Sequence, residues 1–108
     1  MLDRIRQLVG LESPSDDKRA VDGCVDCVTE MAAALGARVR RHRQRAFGDV
    51  LELRFGAGGT TKKKDAPLML LGHLDTVWPM GTLAKMPFRV AKGKAFGPGV
   101  YDMKAGVV

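Results

Sequence analysis

LMLLGHLDTV, residues 68–77, gives the strongest prediction of fold in this chain. Its first four residues, Leu68–Leu71, are all apolar, which is typical of a strand buried on both faces in the middle of an α/β sheet. The run ends in His73-Leu74-Asp75, and side chains two residues apart in an extended chain point to the same side. The sequence therefore predicts that His73 and Asp75 project together from the end of a buried strand, where open α/β sheets place their sites.

A second motif, AFGPGVYDMKAG at residues 95–106, presents another carboxylate, that of Asp102. Gly97 and Gly99 allow the backbone to turn sharply before a helix that is predicted to begin at Asp102 and run to Val108. A carboxylate at such a turn can bridge two cations. Paired metals about 3.5–4 Å apart can polarise a carbonyl group and activate a water molecule together.

These residues make chemical sense as parts of one metal site. A metal-binding imidazole commonly donates its second ring N–H to a carboxylate, so His73 is predicted as a ligand and Asp75 as the group that orients it. Asp102 is the second predicted ligand. Lys104 is expected to be solvated or locally paired rather than a catalytic base. Spacing alone leaves a plainer interpretation open, in which His73 is only a hydrogen-bonded residue at a strand end and Asp102 a helix cap.

The bulk composition fits at most one globular domain. The chain has 108 residues, of which 45% are hydrophobic and 28% charged, as in ordinary globular proteins. No apolar stretch reaches the roughly 18 residues of a membrane span, so no membrane partner is expected. Charged residues closely follow Met1, where a signal peptide is apolar, and this predicts a cytoplasmic location.

The net charge of +6 comes largely from the arginines between positions 38 and 45, with a smaller run at Lys62–Lys64. Such runs could attract an anion or a nucleic acid. The arginines alternate with Ala37 and Val39, however, as on the solvent face of an edge strand. No aromatic interleaving or reader motif accompanies them, so no nucleic-acid partner is expected.

Hydrophobic spacing predicts the remaining elements. Helices are expected at residues 2–9, closed by Gly10, and at residues 21–35, closed by Gly36, with Ser13 or Ser15 able to cap the second. Strands are expected at residues 37–43, at 51–55, and on either side of Gly93. Cys24 and Cys27 fall on the apolar face of the second helix. Their predicted role is packing rather than zinc binding or redox chemistry.

The two motifs and the segments between them resemble a known family. The similarity lies, in order, in Gly72–Val77, Gly81-Thr82-Leu83, Pro87-Phe88 and Gly97–Gly106. This pattern is similar to the di-zinc amidohydrolase and exopeptidase family, which includes glutamate carboxypeptidase, aminoacylase, acetylornithine deacetylase and succinyl-diaminopimelate desuccinylase. Residues 81–101 are most similar to the glutamate carboxypeptidase branch.

The resemblance implies a zinc-dependent hydrolase that cleaves an amide bond, with a peptide or N-acyl amino acid as substrate. By position, His73 resembles the ligand to one of two Zn²⁺ ions, Asp75 the catalytic aspartate that braces this histidine, and Asp102 the carboxylate that bridges both metals. The Asp102–Met103 peptide bond is expected to be cis, as in the family. Co²⁺ or Mn²⁺ could replace Zn²⁺, because imidazole and carboxylate groups accept several metals.

The family pattern includes residues that this sequence lacks. They are a general-base glutamate, an adjacent metal-binding glutamate, a further carboxylate ligand and a second histidine, and the lid and dimerisation domain is absent as well. Residues 1–108 are therefore expected to form an incomplete N-terminal part of an α/β catalytic domain, a mixed sheet with flanking helices, inactive by itself. The complete enzyme is expected to be a homodimer. The alternatives are a non-catalytic truncated product and a basic binding module.

Overall fold

The computed structural model describes residues 1–56 and 68–108. Within these residues the fold is α/β, with helices and two small antiparallel sheets. The elements are α1 (Leu2–Val9), α2 (Lys18–Ala34), β1 (Arg38–His42), β2 (Val50–Arg54), α3 (Thr82–Lys85), β3 (Arg89–Ala91), β4 (Lys94–Phe96) and α4 (Ala105–Val107). The predicted loop position of Lys62–Lys64 lies outside the described residues.

Helices α1 and α2 confirm the predictions from apolar spacing, and their packing forms the core. The buried cluster consists of Leu8 from α1 and Cys24, Cys27 and Val28 from α2. Both thiols are buried and free, which agrees with the predicted packing role.

The residue that caps α2 is Asp17 rather than Ser13 or Ser15. The Asp17 carboxylate accepts a hydrogen bond of 3.0 Å from the backbone N–H of Ala20, which satisfies one of the free donors of the first turn. The predicted serine caps are wrong because both serine hydroxyls bind the distant segment that contains Asp75.

Strands β1 and β2 confirm the two strands predicted from alternation, and they form an antiparallel hairpin that packs against α2. Phe55 lies beyond the end of β2 and is exposed. Part of the arginine charge is neutralised locally, because the Arg41 guanidinium forms ion pairs with Asp22, Asp26 and Asp49. Strands β3 and β4 form the second hairpin, as predicted for the residues flanking Gly93.

The buried strand predicted at Leu68–Leu71 is wrong. These four residues belong to no strand, and between 81% and 88% of each is exposed. A strand needs a neighbour with which to pair, and each described sheet is a two-stranded hairpin that excludes this segment. The expected mixed sheet is therefore replaced by two separate antiparallel sheets.

The C-terminal motif forms a turn before its helix. Residues Val100–Lys104 make one wide turn in which Asp102 and Met103 lack helical backbone angles, and the helix proper is α4. The predicted helix is thus confirmed only in its second half. The Asp102–Met103 peptide bond is cis, as expected. Within the described ranges, no helix combines the length and apolar character needed to cross a bilayer.

Candidate metal centre

The segment that carries His73 is fixed by pairing with the loop between α1 and α2. The Thr76 N–H donates to the Ser13 carbonyl oxygen at 2.8 Å, and the Ser15 N–H donates to the Thr76 carbonyl oxygen at 3.1 Å. Pro14 and Thr76 consequently form an isolated parallel bridge. The Ser13 hydroxyl adds a hydrogen bond of 2.8 Å to the carbonyl oxygen of Leu74. We call these paired segments, residues 13–15 and 74–76, the seam.

Successive side chains of the His73 segment point to opposite sides, although the segment is not a strand. Leu74 packs against the cluster of Leu8, Cys24, Cys27 and Val28. His73 and Asp75 instead line an open cavity of about 330 Å³. The prediction that His73 and Asp75 share a side therefore agrees with the structure, although the predicted strand does not exist.

Each ring nitrogen of His73 faces oxygen atoms. Nε2 lies 3.0 Å from Oδ1 of Asp102, whereas Nδ1 lies 3.0 Å from the backbone carbonyl oxygen of Asp75 and 3.3 Å from its carboxylate Oδ1. The hydrogen bond to the Asp102 carboxylate, followed by that to the Asp75 carbonyl, raises the pKa of His73 above its ordinary value. The structure thus brings all three predicted site residues together.

Asp102 is positioned by the glycine turn that precedes it. Gly99 has a φ of +71°, a left-handed conformation that side-chain-bearing residues rarely adopt. A Cβ atom at this position would lie 2.6 Å from Cγ2 of Thr76, so the turn can approach the seam only because residue 99 is glycine. The Asp102 side chain itself remains largely exposed on the cavity.

Lys104 anchors the other end of the turn. Of the two environments predicted for it, solvation is wrong, and the partners that it binds are distant in the sequence rather than local. Only 1% of the residue is exposed, and its ammonium group donates to the backbone carbonyl oxygens of Leu8 and Leu11. It also lies 3.6 Å from Sγ of Cys24. Burial lowers the pKa of Lys104. The ammonium is retained in the interior because it satisfies carbonyl groups near the end of α1.

Two further residues make long-range contacts that were not predicted, and one of them, Ser15, lines the site. The Ser15 hydroxyl donates to Oδ2 of Asp75 at 2.5 Å. The Glu12 carboxylate accepts from the N–H groups of Gly81 and Leu83, and these bonds lower the pKa of Glu12. Both contacts join positions about 60 to 70 residues apart. Local sequence spacing carries no signal for such pairs.

The donor chemistry fits part of a zinc site. Imidazole nitrogen and carboxylate oxygen are ordinary zinc ligands, and a ligating histidine usually directs its second nitrogen to a carboxylate or carbonyl group. His73 and Asp102 supply the two donors, and Asp75 supplies both kinds of partner to Nδ1. Across residues 1–56 and 68–108, no group of three or more His, Cys, Asp or Glu side chains is arranged to hold a metal ion. Catalytic zinc usually has about three protein ligands.

Comparison with known proteins shows which class of protein the motifs resemble. Residues 69–108, which include His73, Asp75 and Asp102, match the model of Peptidase family M20/M25/M40. Over 105 residues the chain is also 33% identical to Carboxypeptidase G2 of Pseudomonas sp. (strain RS-16). This alignment covers 94% of the chain but 24% of the relative, so the chain spans about a quarter of that protein's length. The two matches confirm the predicted resemblance to this peptidase family.

Proposed function

We propose that this chain forms part of the catalytic domain of a zinc-dependent hydrolase that cleaves an amide bond with an activated water molecule. The observation that carries the proposal is the imidazole of His73 held between the carboxylates of Asp75 and Asp102. The peptidase family match and the similarity to Carboxypeptidase G2 support the same assignment. A peptide or an N-acyl amino acid is the proposed substrate class.

Each of the three residues has a distinct proposed role. His73 offers Nε2 as a ligand, and Asp102 offers a carboxylate beside it that can bridge two cations. Asp75 holds the proton on Nδ1, which fixes the imidazole in the form that leaves Nε2 free for metal. Bound zinc would supply the polarisation of the amide carbonyl group and the activation of water.

The described residues supply two ligands, which is fewer than a catalytic zinc site normally uses. We therefore propose that the 108-residue chain binds zinc weakly and hydrolyses no amide substrate by itself. Further ligands and a general base would have to come from additional polypeptide. The expected homodimer and the cytoplasmic location also remain predictions.

Zinc binding to the purified chain, measured by titration calorimetry, tests this proposal. We expect weak binding that His73→Ala and Asp102→Ala each abolish, because each substitution removes one of the two donors. His42→Ala provides the matched control, since His42 is an exposed histidine paired with Glu52 on the β1–β2 hairpin. Binding that survives His73→Ala, or that is lost in His42→Ala, would contradict the proposed site.

Turnover assays test the expected inactivity of the isolated chain. Suitable substrates are N-acyl amino acids and peptides with a C-terminal glutamate. We expect no zinc-dependent hydrolysis above the rate of the His73→Ala variant. Measurable turnover that requires His73 would show that the two described ligands suffice, and this part of the proposal would then be wrong.

A further inference from the structure

Ser15 contacts the predicted bracing carboxylate from the side opposite the histidine. Its hydroxyl donates to Oδ2 of Asp75 at 2.5 Å, while Oδ1 of the same carboxylate lies 3.3 Å from Nδ1 of His73. The two oxygens of Asp75 therefore have different partners. Ser15 and Asp75 both line the cavity that contains His73.

The backbone holds the Ser15 hydroxyl in place. The Ser15 N–H donates to the carbonyl oxygen of Thr76, the residue that follows Asp75, so the hydroxyl and the carboxylate lie in register across the seam. Two residues later, Asp17 caps α2 and its own N–H donates to the carbonyl oxygen of Pro14. Ser15 is thus fixed on one side by the seam and on the other by the start of a helix.

We propose that Ser15 is a positioning residue that orients the Asp75 carboxylate so that Oδ1 faces His73. This inference rests on the proposed metal function and extends it to a residue outside the matched segment 69–108. The terminal torsion of an aspartate has a broad, roughly two-fold energy profile, so the carboxylate can rotate unless a partner holds it. Asp75 is partly exposed, and water would compete for its oxygens if the Ser15 hydroxyl were removed.

Metal affinity provides the first test of this role. Loss of an outer partner of a ligating histidine typically lowers metal affinity about 10–100-fold. We expect Ser15→Ala to weaken zinc binding by about this range, measured by competition with a chromophoric chelator. Ser15→Thr should restore most of the affinity, because threonine retains the hydroxyl. Failure of the threonine variant to recover any affinity would overturn the proposal.

A double-mutant cycle separates positioning from a general effect on folding. If Ser15 acts through Asp75, then Ser15→Ala should cause no further loss of zinc affinity in an Asp75→Ala background. Ser13→Ala is the matched comparison, because Ser13 also donates across the seam but to the carbonyl oxygen of Leu74 rather than to the carboxylate. Equal losses from Ser13→Ala and Ser15→Ala, or additive losses in the cycle, would show that Ser15 only stabilises the seam.

Proton exchange at His73 tests the role of Ser15 in the metal-free chain. The Nδ1 proton of His73 should exchange with water more slowly while Asp75 is held toward it. We expect faster exchange in Ser15→Ala and near-normal exchange in Ser15→Thr, measured by nitrogen-edited NMR. Unchanged exchange in Ser15→Ala would overturn the role of Ser15. Loss of zinc binding in His73→Ala together with unchanged binding in Ser15→Ala would overturn it while leaving the proposed function intact.

Discussion

Lys104 is a buried charge that holds in place the turn carrying Asp102. It follows Asp102 by two residues, and its ammonium group reaches the carbonyl oxygens of Leu8 and Leu11 at the end of α1. Lysine is seldom fully buried unless its ammonium group is paired. Here the partners are backbone oxygens, so the site turn is attached directly to the first helix.

Replacement of Lys104 with methionine should destabilise the chain. Methionine would fill most of the volume but would remove the charged donor that the carbonyl oxygens of Leu8 and Leu11 share. A hydrogen bond to a charged group contributes about 1.5–3 kcal/mol, so a loss of this order is expected in the free energy of unfolding measured with urea. Lys94→Met is the control, because Lys94 is exposed on β4. Equal stability of the two variants would contradict the anchoring role.

At the residue scale, the three candidate site residues are easier to predict from the sequence than the residues that hold them in place. His73, Asp75 and Asp102 stand in short motifs whose spacing indicates their chemistry. Ser15 and Lys104 act through contacts with residues 60 or more positions away. Their type and position alone indicate a helix cap at Ser15 and a solvated or locally paired cation at Lys104, because the folded partners cannot be read from local spacing.

At the scale of elements, a buried carboxylate joins the first hairpin to α2. Asp49, whose side chain is 3% exposed, accepts from Lys18 on α2 and from Arg41 on β1. The backbone N–H of Gln44 also donates to it. The Lys18 hydrogen bond, then the Gln44 N–H and the Arg41 guanidinium, lower the pKa of Asp49 far below its ordinary range.

This lowered pKa predicts a dependence of stability on pH. A carboxylate with a lower pKa in the folded state stabilises the protein above its unfolded pKa of about 3.9 and loses this contribution as the pH falls below it. Asp49→Asn should therefore lower the urea midpoint at pH 7 and flatten the decline of that midpoint between pH 5 and pH 3. Asp16→Asn, at an exposed position, is the control. An unchanged profile in Asp49→Asn would contradict this assignment.

The success of sequence prediction also differs among the elements. Helices α1 and α2, strands β1 and β2, and the turn at Gly93 between β3 and β4 follow from periodicity and turn residues, because those signals are local in the sequence. The apolar run at Leu68–Leu71 indicates a strand only because apolar side chains favour burial, which a central strand would provide. Whether it becomes one depends on a neighbouring strand, and neither described sheet provides that neighbour.

At the scale of the whole molecule, the four apolar side chains of Leu68–Leu71 are exposed to water. Val77 and Met80, further along the same segment, are also exposed. Exposed apolar side chains in such number favour self-association of the chain. The α/β class was predictable from the apolar spacing of helices and strands and from the family resemblance, whereas this open surface was not, because the same residues were expected in a buried strand.

Leu70→Lys should increase the solubility of the chain without lowering its thermal stability. The side chain at position 70 is 87% exposed, so a charge there costs no burial and opposes association. Light scattering against concentration, together with the thermal unfolding midpoint, measures both effects. Leu35→Lys adds the same charge at an exposed position outside the apolar segment and should improve solubility less. Equal gains from the two variants would show that only net charge matters.

The placement of Cys24 and Cys27 provides the chain with an intrinsic reporter. Both thiols lie in the interior of α2, and burial raises the pKa of Cys27. Because both sulfur atoms are buried, alkylation requires a local opening that exposes them, after which the reagent reacts with the thiolate form. The rate of alkylation therefore reports how often the packing between α1 and α2 opens. No added label is needed for this measurement.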